Sequence, residues 1–97
     1  MAQLIYSERA LADLGRLTDF LQQDPVTAVE TIDLITEAMQ ILQNHPYIGR
    51  PAEEDLRELV ISRGRSGYVA LYCFEESLET VLVLSIRHQR EAGYASE

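Results

Sequence analysis

The chain has no lysine. Its eight cations are all arginine, set against 16 acidic residues, for a formal net charge of −8. A surface of that sign repels polyphosphate, which excludes a protein that coats DNA or RNA along its length. It leaves room for one phosphate contact where a few arginines converge, or for an acidic face that receives a basic partner segment. The excess also serves to keep a small protein soluble. Cysteine is nearly absent. The single Cys73 excludes an intramolecular disulfide and, inside an apolar run, reads as a small buried hydrophobe. No apolar run approaches the ~20 residues of a membrane span. The N-terminus lacks a basic stretch followed by an apolar core, so the cytoplasm is the expected compartment. His45 and His88 have no cysteine or histidine neighbours at ligand spacing, and no glycine loop suits a phosphate. No metal and no cofactor are expected.

What is present is enough for one small core. The 97 residues are 46% hydrophobic, which argues for a single globular domain over 1–97 and against disorder. A domain of this size has a net stability of only ~5–10 kcal/mol, so a partner covering apolar surface matters to its persistence. There is no internal repeat, low-complexity segment or linker.

Residues 2–6 favour a brief first strand. Ser7 then suits a helix N-cap, with Glu8 near the positive end of the helix dipole. Leu11, Leu14, Leu17 and Leu21, flanked by Ala10 and Phe20, predict an amphipathic helix over 8–22. Gly15 weakens that helix by ~1 kcal/mol relative to alanine and is expected to admit close packing. Asp24-Pro25 restarts the chain, with Asp24 as a cap and Pro25 in the first helical turn. Val29, Ile32, Ile35, Met39 and Leu42 carry a second helix to about residue 43, ended by His45-Pro46. So short a connection predicts an antiparallel helical hairpin.

Residues 46–55 read as loop. Strands are expected at 56–61, 68–74 and 80–86, joined by turns at 62–67 and 75–79. The strand at 68–74 is apolar on both faces and so belongs at the centre of the sheet, with Tyr68 and Tyr72 in the core. The predicted order is β-α-α-β-β-β, an α+β fold with the helical hairpin packed on a mainly antiparallel sheet.

The last strand ends abruptly in Arg87-His88-Gln89-Arg90 and then Tyr94, residues that can hold a phosphate, move a proton and stack on a base. Arg63 and Arg65 sit in the Gly/Ser turn. Arg57 is either a contact residue or a structural arginine paired with a helix acid. Arg90 is either a contact or the partner of Glu91, an exposed pair worth only ~0–1 kcal/mol. The candidate target-binding set is therefore Arg57, Arg63, Arg65, Arg87, His88, Arg90 and Tyr94.

These landmarks together resemble the RelE/ParE toxin family of bacterial type II toxin–antitoxin systems. The marks are Leu42 and Pro46 before Gly49-Arg50, then Leu56-Arg57 opening a strand. Gly67-Tyr68 with Leu71-Tyr72 and the closing Ile86-Arg87-His88-Gln89-Arg90 complete them. The resemblance spans nearly the whole chain and implies a cytoplasmic toxin neutralised by a cognate antitoxin, with DNA bound only through the antitoxin. It allows a homodimer or a heterotetramer with the antitoxin. It further implies one of two targets.

The nuclease branch cuts messenger RNA on the ribosome. That chemistry needs a base, an acid and a cation at the scissile phosphate. His88 can act as base or acid, Arg90 and Arg87 can hold the phosphate, Tyr94 can stack, and Glu58 is a second proton-transfer group. The ParE branch, associated with plasmid stabilisation, poisons DNA gyrase by occupying a surface, with no catalytic residue. The missing lysines, and Val69-Ala70 where the nuclease pattern places a phosphate-holding arginine, favour the gyrase inhibitor over the endoribonuclease.

Overall fold

The computed structural model describes residues 1–20, 25–63 and 66–88. Its elements are β1 (Gln3–Tyr6), α1 (Glu8–Phe20), α2 (Pro25–Asn44), β2 (Arg50–Pro51), β3 (Leu56–Arg63), β4 (Ser66–Glu75) and β5 (Thr80–His88), with a 3-10 turn at Glu76–Leu78. The architecture is α+β: two helices on one five-stranded sheet ordered β1-β5-β4-β3-β2. β3, β4 and β5 form the expected antiparallel meander, and β4 is the central strand. β1 pairs in parallel with β5, Gln3 opposite Thr80 through Tyr6 opposite Val83.

Two features depart from the pattern of the sequence. Arg50–Pro51 forms a short edge strand against Arg57 and Glu58 within the stretch read as loop. Proline tolerates such an edge because its missing N–H faces no ladder. In β5, the register shifts between Leu71 and Tyr72 on its partner, so Leu84 has no opposite number. This bulge keeps both Val83 and Ile86 buried although they are three residues apart.

The core lies between the helices and one face of the sheet. Tyr68, Ala70 and Tyr72 of β4 meet Val81, Val83 and Ile86 of β5, with Ile35, Ala38, Met39 and Leu42 of α2 above them. The buried face of α1 is Ala10, Asp13 and Leu17, with Leu14 half-buried; Leu11 is 56% exposed. Positions 10, 13, 14 and 17 are the i, i+3, i+4, i+7 stripe, and Leu11 lies about 100° around the helix from Ala10. On α2, Val29 is likewise exposed, while Ile35, Met39 and Leu42 are buried. Gly15 does not mediate close packing, since a Cβ there would meet nothing within 4 Å. Ser7 caps α1 as expected: its hydroxyl accepts the Ala10 N–H at 3.0 Å. The Asp24 cap lies outside the described residues.

Candidate functional site: a cleft on the open face of the sheet

Tyr72 organises the segment that leads into β2 and β3. Its phenol is buried, donates to the Pro46 carbonyl at 2.8 Å and accepts the Gly49 N–H at 2.9 Å. Arg57 secures the same loop from the other side, donating to the Gly49 carbonyl at 2.7 Å and the Tyr47 carbonyl at 3.2 Å. Its guanidinium also lies 5.2 Å from the centre of the Tyr47 ring, within cation–π range. Arg57 thus pairs with loop carbonyls rather than with a helix acid. Gly49 is fixed by space, because a Cβ would stand 2.6 Å from the Tyr72 hydroxyl. The Gly49, Arg57 and Tyr72 landmarks are parts of one lock.

Strand alternation sends Arg57 and Glu58 to opposite faces. Arg57 faces the loop and helix side, while Glu58 enters the open face and meets Arg50, Nε to Oε1 at 3.3 Å. On that face is a cleft of about 400 Å³. Its floor is Val69 and Leu71 of β4 with Leu84 of β5, and its polar groups are Arg9, Glu58, Ser85 and Arg87. Ser85 and Arg87 are two apart on one strand and so share the face. Arg9 arrives from the first turn of α1, because β1 lies beside β5 and Ser7 turns the chain directly into the helix.

His88 takes the other face. It stands opposite Tyr68 across the β4–β5 pair, its ring edge-on at 5.5 Å and 83°. The end of β5 therefore splits its two polar side chains: Arg87 to the cleft, His88 to the helix side. Arg63 closes β3 opposite Ser66. Arg65, Arg90 and Tyr94 lie outside the described residues. Arg9 was missed in the sequence because nothing local to it reports the parallel β1–β5 pairing that carries it to the cleft. Among the described residues, no group of three or more histidine, cysteine or acidic side chains is placed to hold a metal ion.

Two guanidiniums above an aliphatic floor, with a hydroxyl beside them, suit an oxyanion such as a phosphodiester or a carboxylate. Glu58 supplies a carboxylate that Arg50 partly neutralises. Among the described residues, none that lines the cleft is a histidine.

The comparisons with known proteins agree with this architecture. Residues 4–93 match the family model described as ParE toxin of type II toxin–antitoxin system, parDE. Toxin RelE3 of Caulobacter vibrioides is 36% identical over 84 residues, covering 86% of this chain and 89% of that protein. Toxin RelE2 of the same organism is 36% identical over 89 residues, covering 91% and 96%. Among solved structures, the chromosomal ParDE toxin–antitoxin system from P. aeruginosa superposes with a TM-score of 0.73 at 25% identity, covering 90% of this chain and 95% of that one. The chain belongs to the ParE toxin family of type II toxin–antitoxin systems. Its relatives carry both ParE and RelE names.

Proposed function

We propose that this toxin acts as a binding inhibitor of DNA gyrase and is neutralised in the cytoplasm by a cognate antitoxin. The observation that supports it best is the separation of Arg87 from His88. The cleft offers arginines for holding an anionic surface, but the one histidine at the strand end faces the other way. An acid–base pair across a scissile phosphate needs both groups within reach of the same atoms. The family match to ParE and the net charge of −8 point in the same direction.

In this reading Arg9 and Arg87 contact the target in the cleft, and Arg63, Arg65, Arg90 and Tyr94 are the further contacts proposed from the sequence. The antitoxin covers the outer face of the helices, where Leu11, Val26 and Val29 are exposed beside Glu30, Asp33 and Glu37. A segment presenting apolar side chains and basic residues complements such a surface. DNA is bound through the antitoxin.

Purified gyrase supercoiling relaxed plasmid is the direct test. The expected result is loss of supercoiling with accumulation of cleaved DNA, reversed by the antitoxin. The second reading, a ribosome-dependent endoribonuclease, draws support from the relatives named RelE and from Glu58 beside Arg87 in the cleft. Untouched supercoiling together with cleavage of ribosome-bound messenger RNA would establish it instead.

A further inference from the structure

β5 runs five residues beyond the end of β1, whose last pairing is Tyr6 with Val83. Among the described residues no strand covers that edge; the start of α1 does. The Ser7 N–H donates to the Val83 carbonyl at 2.9 Å, and the Ser7 hydroxyl to the Leu84 carbonyl at 2.9 Å. The Ile86 N–H then donates to Asp13 Oδ2 at 3.0 Å, a bond buried on both sides. Arg16 approaches the other Asp13 oxygen at 3.5 Å, but its side chain is 45% exposed and the pair contributes little. A charged acceptor on a buried backbone N–H is among the stronger hydrogen bonds available. The next residue is Arg87. One turn earlier on α1, at i−4 from Asp13, is Arg9.

We propose that Asp13 is a positioning residue: its carboxylate completes the hydrogen-bonding edge of β5 where β1 stops, and so sets Arg87 opposite Arg9 in the cleft. The inference rests on the reading of the cleft as the target-binding site. A helix side chain here does the work of a missing strand, and it ties the first turns of α1 to the last residues of β5 at one atom pair. Without that acceptor, the Ile86 N–H seeks water and the strand end frays, carrying Arg87 with it.

The test compares growth arrest on expression without antitoxin, and hydrogen exchange of the Ile86 amide, in the full-length chain. Variants are Asp13→Ala, Asp13→Asn and Asp13→Glu, with Arg9→Ala and Arg87→Ala as references. Asp13→Ala is expected to weaken growth arrest and to speed Ile86 exchange roughly tenfold, the equivalent of one lost hydrogen bond. Asp13→Asn keeps an acceptor at the same place and is expected to recover most of both readouts. Should Asp13→Ala fail to fold, Asp13→Glu decides. It retains the charge but displaces the carboxylate by one methylene, and it is expected to weaken arrest while folding. Full arrest by a folded Asp13→Ala or Asp13→Glu protein, with Arg9→Ala and Arg87→Ala impaired, overturns the positioning role alone. Full arrest by both arginine variants overturns the cleft reading itself. In that case Ile86 exchange at the parental rate in Asp13→Ala would also remove the anchor.

Discussion

Gly49 and Tyr72 constrain one another closely enough to predict the cost of disturbing either. Gly49→Ala drives a methyl group into the Tyr72 hydroxyl and the Glu58 carbonyl, both within 2.8 Å of the new atom. The loop must move, and overpacking of this kind costs ~1–3 kcal/mol. Tyr72→Phe removes the acceptor of a buried Gly49 N–H and is expected to cost ~1–3 kcal/mol, read from urea unfolding midpoints. The same phenol makes a pH prediction. Burial raises the Tyr72 pKa from its ordinary 10.0, while the Gly49 N–H and nearby Arg57 oppose the rise. The folded chain therefore holds this proton more tightly than the unfolded one. The resulting stabilisation is full below pH 10.0 and is lost as pH climbs through the higher folded value. Tyr72→Phe should show a shallower alkaline loss than the parent. Gly15→Ala runs the other way: the site is open and helical, so a gain of ~0.5–1 kcal/mol is expected in the same unfolding measurement. Cys73 is half-buried, and burial, followed by Glu75 and Asp55, raises its pKa from 9.0. Its alkylation at pH 8 should be slow in the folded protein and rise on addition of urea, whereas rapid alkylation without denaturant would contradict this placement.

Individual elements differ in how openly they are written in the chain. The helix restart at Pro25 and the three strands of the meander follow from local patterns, and so does the central place of β4, whose residues are apolar on both faces. Ser7 as N-cap was legible for the same reason, since the acceptor and its N–H donor are three residues apart. In the buried stripe of α1, Ala10, Leu14 and Leu17 fall as the pattern gives them, but Leu11 is exposed and the polar Asp13, which the sheet edge selects, takes a buried place that no apolar pattern marks. The parallel pairing of β1 with β5 joins residues about eighty positions apart, and no local signal reports it. With it went the two consequences that matter most for the site: Arg9 in the cleft and Asp13 on the Ile86 amide. Alternation along β5 is the reason Arg87 and His88 part company. At this scale, one prediction concerns the helices. Antitoxin binding should slow amide exchange across α1 and α2, and unchanged exchange there would move the antitoxin to another face.

Seen whole, the molecule is a thin α+β layer pair with two differently charged sides. Helices whose outer face mixes valines with acids lie on one side, and an arginine-bearing cleft lies on the other. That division suits a protein that must meet two partners of opposite character, one neutralising it and one being its target. Gly49, Arg57 and Tyr72 act together as one lock: they hold the loop that places Arg50 on Glu58 at the cleft rim. The central claim, that the cleft is where the toxin engages its target, is tested most directly by gyrase supercoiling titrated with the parent and with folded Arg87→Ala. The account predicts that the parent inhibits and that Arg87→Ala needs roughly tenfold more protein, about 1.4 kcal/mol of lost contact. Equal inhibition by the two proteins would contradict it.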